Sequence, residues 1–209
     1  MLFSPGEDIP NEFDYVYLMN KLSGYSDPWG RIRRLLNSEE IVRVKKGLYI
    51  PGPQFKKPFS RLILANLIFG PSYVSYASAL SHYGLIPEAP VAVWSVTTGR
   101  KKHFKTPIGE FEYFFQNANL YAAGMGRIAI DQERFALLAT PEKALFDFVK
   151  YRLGSNLESL VPTLDLLITD LRLDESALKK LSLGKLKDLS LVSKLPLGAE
   201  LANCIRKLK

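Results

Sequence analysis

The residues of this chain most able to do chemistry are basic, and many of them lie in the segment 28–57. That segment carries eight Lys and Arg residues against two Glu, and the whole chain has a formal net charge of +7. Arginine and asparagine suit paired hydrogen bonds with base edges, and lysine suits phosphate oxygens. The segment therefore favours a polyanion, above all double-stranded DNA, as its partner.

The candidate contacts divide by chemistry. We expect three residues to reach base edges: Arg31, Arg34 and Asn37. Four others are expected to meet phosphates: Arg33, Arg43, Lys45 and Lys46. A second basic run, which we interpret as a loop, is expected to contact either DNA or a partner protein: Arg100, Lys101, Lys102 and Lys105.

The base-reading residues are predicted to lie on a helix over 28–37. Ser26 or Asp27 can cap it, and Pro28 suits its first position. One side of its helical wheel is apolar and is expected to pack on the preceding helix: Trp29, Ile32, Leu35 and Leu36. The other side carries Arg34 and Asn37, and Gly30 would let the backbone approach a groove closely.

The flanking segments predict a winged helix-turn-helix over 10–52. A short amphipathic helix over 12–22 precedes the basic helix. Two β-prone runs in 41–50 flank Lys45-Lys46-Gly47, where Gly47 supplies the positive φ of a tight turn. The proline-rich residues 53–58 are predicted to be a linker.

The rest of the chain predicts a mixed α/β domain over 59–154 and a helical extension over 155–209, so the fold class is α+β. Strands are expected at 91–98 and 111–116, with two more within 127–138. Ser75 is expected to cap one helix and Thr140-Pro141-Glu142 to open another. On that last helix, Lys143 and Asp147 are expected one turn apart on the exposed side.

The sequence assembles no catalytic site, so we predict no enzyme, no metal and no cofactor. His82 and His103 lack partners at metal-ligand spacing, and no glycine-rich phosphate loop is present. Glu110 and Glu112 share one face of a strand, which would be half of a metal site. A nuclease or nucleotide-processing enzyme with a DNA-binding N-terminal domain therefore stays the alternative.

The chain shows no features of a secreted or membrane protein. It has neither a signal-peptide pattern nor an apolar run of about 18 residues. Its single cysteine, Cys204, cannot form an internal disulfide. These features predict a cytoplasmic protein without membrane contact.

Four blocks resemble the AbiEi-type antitoxins of type IV abortive-infection toxin–antitoxin systems. They are VSYASALSHYGL at 74–85, VAVWSVTTGRKK at 91–102, ATPEKALFDFV at 139–149 and GLYIP at 47–51. The resemblance implies a transcriptional autoregulator that binds operator repeats in its own promoter and opposes a nucleotidyltransferase-like toxin in phage defence. The short region before the basic helix and the tail at 157–209 depart from the family. A stand-alone winged-helix regulator without a toxin is the alternative.

Overall fold

A computed structural model describes residue 3 and the ranges 9–154 and 161–209, and its architecture is α+β, as predicted. Two short helices and a small sheet form an N-terminal unit. Its elements are β1 (Phe13–Asp14), α1 (Tyr15–Lys21), α2 (Pro28–Asn37), β2 (Ile41–Lys45) and β3 (Leu48–Pro51). The three strands are antiparallel in the order β1-β3-β2. The predicted helix over 12–22 is thus shorter, because residues 13 and 14 pair with β3.

A six-stranded sheet forms the centre of a second unit. Its elements are α3 (Arg61–Ile68), β4 (Ser72–Val74), α4 (Tyr76–His82), β5 (Ala92–Thr97), β6 (Lys102–Thr106), β7 (Gly109–Phe115), α5 (Ala118–Ala122), β8 (Met125–Ala129), β9 (Phe135–Ala139) and α6 (Pro141–Leu153). The strand order is β6-β7-β5-β4-β9-β8. The β4–β9 and β5–β7 pairs are parallel, and the other pairs are antiparallel.

The C-terminal part of the chain is helical over the described residues 161–209, as predicted. A π-helical turn at Leu166–Asp170 precedes α7 (Glu175–Lys179), α8 (Leu183–Ser193) and α9 (Leu197–Arg206). Helices α8 and α9 pack on each other and on α6. The extension is therefore part of the second unit's core, whose C-terminal members include Leu186 and Leu201. Residues 155–160 of the predicted extension lie outside the described residues.

The β2–β3 hairpin is shared between two hydrophobic cores. Ile41 and Tyr49 belong to the core of the N-terminal unit, whereas Val44, Leu48 and Ile50 belong to the core of the second unit. Neighbouring side chains on a strand point to opposite faces, so one hairpin can serve both cores. The predicted domain boundary at residue 52 therefore follows a hairpin that is packed on both sides.

The predicted linker at 53–58 is tied to both units. A 3-10 helix covers Pro53–Phe55, and the carbonyl of Pro58 accepts a hydrogen bond from the Asn11 side chain at 2.8 Å. The buried carboxylate of Glu12 accepts from the Ser60 backbone N–H at 2.7 Å and pairs with the Arg134 guanidinium at 2.9 Å. These contacts hold the N-terminal unit against the β8–β9 loop.

Two predictions about helices in the second unit are wrong. Lys143 and Asp147 are not on an exposed side of α6: both are fully buried and paired with each other. Ser75 occupies the N-cap position of α4, as predicted, but its side chain does not cap the helix, because its hydroxyl donates to Asp147 Oδ2 at 2.7 Å. The i,i+4 pattern is present, but residues 142–149 of α6 are all buried, so spacing alone could not identify an exposed side there.

Candidate nucleic-acid interface

Helix α2 presents three of the predicted DNA-binding side chains to solvent. Ile32 and Leu35 are buried in the core of the N-terminal unit, and Arg33, Arg34 and Asn37 are exposed. Arg34 makes one long hydrogen bond, from its Nε to the Gly30 carbonyl at 3.3 Å. Its terminal guanidinium nitrogens can therefore still donate to a ligand.

The start of α2 departs from the predicted wheel. Trp29 was placed on the packed side, yet its side chain is 61% exposed and stacks on the Tyr15 ring with centroids 5.2 Å apart. Gly30 was placed on the groove-facing side, yet it is buried under the Asp27 carboxylate, which accepts the Gly30 N–H at 2.8 Å. The cap occupies the space that a close backbone approach to DNA would need.

Arg31 is less available than predicted. It is half-buried, and its guanidinium lies over the Tyr25 ring, 5.6 Å from the centroid. Its Nε is buried without a hydrogen-bond partner. Because the side chain follows the α1–α2 loop, a direct base contact by Arg31 does not fit this geometry. Arg33, a predicted phosphate contact, is exposed on the same helix.

The hairpin beside α2 contributes two free cations and one anchored cation. Helix α2 packs on β2, so these cations lie beside the basic helix. Arg43 and Lys46 are exposed, but the Lys45 ammonium donates to the Ile68 carbonyl at 2.5 Å and lies 5.2 Å from the centroid of the Phe104 ring. The predicted phosphate contact by Lys45 does not fit, because its charge holds the hairpin on the second unit.

The exposed cations of this surface have no acidic partners. Over residues 9–154 and 161–209, no carboxylate forms an ion pair with Arg33, Arg34, Arg43 or Lys46. We call these four residues together with Asn37 the basic face. Cations without a direct ion pair attract polyanions more strongly than cations paired with a carboxylate.

A cavity of about 490 Å³ extends from the basic face to the second unit. Its described lining includes Arg43, Lys56 and Lys57 on one side and Ile108 on the other. Lys56 and Lys57 belong to the basic segment, but the sequence predicts a linker there and no DNA contact. Their contribution depends on tertiary structure, because residues 53–58 fold back between the units.

The second basic run is a strand rather than a loop over most of its length. Lys102 and Lys105 lie on β6, and Lys105 pairs with Glu110 at 3.6 Å. Lys101 lies over the Phe114 ring, 5.2 Å from the centroid, and Arg100 is exposed. Lys101 and Lys105 therefore have different neighbours, an aromatic ring and a carboxylate.

One of the two carboxylates considered for a metal site, Glu110, is engaged with basic side chains. Glu110 binds His103 Nε2 at 2.9 Å, and this hydrogen bond is the main cause of the lowered pKa of Glu110. Glu112 lies opposite His103 in the β6–β7 ladder. Among the residues that the structure describes, no three His, Cys, Asp or Glu side chains cluster closely enough to hold a metal ion.

No family model fits the chain, and no curated protein sequence is significantly similar to it. No helix in the described part of the chain is both long and apolar enough to cross a membrane.

Proposed function

We propose that this protein is a DNA-binding transcriptional regulator whose N-terminal unit binds a duplex through the basic face. The observation that carries the proposal is the combination on α2 and the β2–β3 hairpin: Arg33, Arg34 and Asn37 are exposed on the helix, beside Arg43 and Lys46 on the hairpin. None of these cations pairs with a carboxylate in the described ranges. An α-helix fits the major groove, and a neighbouring hairpin can reach phosphates or the minor groove.

The order of elements supports a winged-helix arrangement. Helices α1 and α2 are followed by a two-stranded hairpin, and β1 adds a third strand beside β3. In such an arrangement the second helix is the recognition helix, and the hairpin is the wing. The packing of α2 on β2 brings the two together on one side of the unit.

The contacts divide into readout and positioning. Arg34 and Asn37 read base edges, because guanidinium and amide groups form paired hydrogen bonds there. Arg33, Arg43 and Lys46 bind phosphates and fix the register of the protein on the duplex. Arg31 and Lys45 are left out of the contact set, because an aromatic ring and a backbone carbonyl occupy them.

The physiological role that we propose is antitoxin and autoregulator of a type IV toxin–antitoxin system. It is supported by the resemblance of four ordered blocks to AbiEi-type antitoxins. The operator would then lie in the protein's own promoter, and a nucleotidyltransferase-like toxin would be the protein partner.

Fluorescence anisotropy with the chain's own promoter duplex and a shuffled duplex of equal length tests DNA binding. We expect preference for the promoter and a log–log salt slope of about −0.9 for each phosphate neutralised. Equal, salt-insensitive affinity for both duplexes would contradict the proposal.

The antitoxin role is tested separately by expressing the neighbouring reading frame alone and together with this protein. Growth arrest that co-expression does not relieve would leave a stand-alone regulator.

A further inference from the structure

A cavity of about 420 Å³ lies in the second unit, between the end of β7 and the C-terminal half of α6. Six of its described lining residues matter here: Tyr76, Lys101, Phe114, Gln116, Lys150 and Tyr151. Its volume is in the range of small-molecule sites. No residue of the basic face lines it, so this aromatic cavity is separate from the proposed DNA interface.

The wall of the aromatic cavity is built from rings that contact one another. The Tyr76 and Phe114 centroids are 5.0 Å apart, and the Tyr151 ring lies 5.2 Å from Phe114 and 5.9 Å from Tyr76. Tyr151 is 46% exposed, although it belongs to this cluster. Part of its ring is therefore available for a planar group to stack on.

The charges of the aromatic cavity favour an anion. Lys101 is exposed, Lys150 is half-buried, and neither forms an ion pair within the described ranges. The carboxylate of Asp147 also lines the cavity, but Lys143 neutralises it. Two uncompensated ammonium groups beside an aromatic wall suit a ligand with a negative group next to a ring.

Gln116 supplies a hydrogen-bond donor. Its side chain is almost fully buried: Nε2 donates to Asp147 Oδ1 at 3.1 Å, and Oε1 accepts from Lys143 at 2.9 Å. The amide nitrogen carries two hydrogens, and the structure records an acceptor for only one of them. The second N–H is therefore a candidate donor to a ligand, since Gln116 lines the cavity.

The backbone at Tyr76 is strained where it places its ring in the wall. Its φ is 52°, in the left-handed region that bulky residues rarely adopt. Strain of this kind is retained when the surrounding structure requires it, and it is concentrated at ligand sites. A glycine would relieve the strain but would also remove the ring.

We propose that the aromatic cavity binds a nucleotide, with the base stacked on Tyr151 and the phosphate held by Lys101 and Lys150. Gln116 donates a hydrogen bond to the base or sugar. A free mononucleotide and the phosphorylated end of a single strand share this chemistry, so either source would satisfy the site. The proposal does not depend on DNA binding by the basic face.

Intrinsic fluorescence provides a local measurement. The Trp94 ring centroid lies 5.3 Å from the ring centroids of both Phe114 and Tyr151. Trp29 is the other tryptophan of the chain. A Trp29→Phe variant therefore reports on the aromatic cavity alone. The titrants are the four nucleoside 5′-monophosphates, the matching nucleosides, inorganic phosphate and 5′-phosphorylated single-stranded tetranucleotides. We expect saturable quenching by at least one monophosphate, with weaker binding of its nucleoside and of phosphate.

Variants test the assigned residues. Removing both lysines, Lys101→Ala with Lys150→Ala, should weaken nucleotide binding at least about tenfold, since two charge-assisted contacts are lost. Tyr151→Ala should weaken it similarly, and Tyr151→Phe should retain it. The matched control removes two exposed lysines elsewhere, Lys180→Ala with Lys187→Ala, and should leave affinity unchanged. Circular dichroism establishes that each variant is folded.

The titrations distinguish the two sources of ligand from each other and from the results that overturn the proposal. Tighter binding of the tetranucleotide than of the monophosphate identifies a strand end as the source, and equal binding identifies a free nucleotide. Both results support the site. The proposal is overturned if no nucleotide binds, if inorganic phosphate binds as tightly as the nucleotide, or if the control pair weakens binding as much as the cavity pair.

Discussion

At the residue scale, the Asp27 cap of α2 requires a glycine at position 30. The Asp27 carboxylate accepts the Gly30 N–H and covers Gly30, so a Cβ at that position would overlap the carboxylate. The same contact explains why Gly30 is buried rather than turned towards a groove. The basic face therefore begins at Arg33, one turn later than the helical wheel predicts.

Replacing Gly30 should be unfavourable only while Asp27 is present. In an ordinary helix, Gly→Ala stabilises by about 1 kcal/mol. Here the added methyl displaces the cap, whose loss costs about 1 kcal/mol. We therefore expect Gly30→Ala to give no gain alone and a gain of about 1 kcal/mol in an Asp27→Ala background. Urea denaturation of the unmutated protein, Gly30→Ala, Asp27→Ala and the double variant measures the free energy of unfolding of each. An equal effect of Gly30→Ala with and without Asp27 would contradict the prediction.

Arg34 and Lys46 should differ in what they contribute to DNA binding. Arg34→Ala should lower affinity for the operator by about 1–3 kcal/mol and affinity for a shuffled duplex by less, because a base contact is lost. Lys46→Ala should weaken both similarly and reduce the salt slope by about 0.9, because a phosphate contact is lost. Anisotropy titrations measure both, with Lys187→Ala as the remote control. Equal losses on both duplexes for Arg34→Ala would remove its assignment to base readout.

At the element scale, α6 is organised around a buried polar network. Asp147 accepts hydrogen bonds from Ser75, Gln116 and Lys143, so one carboxylate joins α4, the end of β7 and α6. Burial lowers the pKa of Lys143, and the attraction of Asp147 opposes this shift. The network fixes the position of α6 against the sheet, and the aromatic cavity is built on the same elements.

Removing only one partner of the buried Lys143–Asp147 pair should destabilise the protein strongly. Lys143→Met leaves the Asp147 carboxylate buried without its cation, for which we expect a loss of about 3–5 kcal/mol. Lys143→Met with Asp147→Leu should lose less than the sum of the single changes, because no uncompensated charge remains. Urea denaturation of the unmutated protein, the two single variants and the double variant measures the free energy of unfolding of each.

A partly exposed ion pair on α7 provides a matched control for the Lys143 and Asp147 variants. Lys179 and Glu175 also pair a lysine with a carboxylate at i,i+4 spacing, but both side chains are about half exposed. Lys179→Met should cost less than about 0.5 kcal/mol, because solvent screens the pair. A loss as small for Lys143→Met would show that burial of the Lys143–Asp147 pair does not determine its contribution.

At the scale of the whole molecule, the two units are joined by charge as well as by packing. Glu12 binds the Ser60 backbone and Arg134, and Lys45 binds the Ile68 carbonyl. The hairpin contributes side chains to both cores between these two points. We therefore expect the units to unfold together, although each has its own core.

Removing Glu12 should separate the two transitions. Trp29 lies in the N-terminal unit and Trp94 in the second, so single-tryptophan variants report on each unit. With Glu12→Ala, we expect the Trp29 transition in urea to precede the Trp94 transition, because the ion pair and the Ser60 bond are lost. Asp131→Ala is the control, since Asp131 binds the same guanidinium from within the β8–β9 loop. Coincident transitions in Glu12→Ala would show that packing alone couples the units.

The sequence by itself determined the features that depend on local interactions. Asp27 and Pro28 mark the start of α2, Gly47 marks the hairpin turn with a φ of 83°, and Thr140 caps α6. Each is set by contacts within a few residues, so composition and spacing were sufficient. The exposure of Arg34 and Asn37 also followed from periodicity, because the N-terminal unit buries only one side of α2.

Only the tertiary structure decided which charges are free. The anchoring of Lys45, the ring beneath Arg31 and the position of Lys56 beside Arg43 all involve partners outside the helical repeat. The Lys143–Asp147 pair keeps the helical spacing, but distant residues such as Ser75 and Gln116 bury it. The energy of a charge depends on burial and on its nearest partners, and both are set by distant segments. For the same reason the aromatic cavity has no local signature, since residues from 76 to 151 meet only in the folded chain.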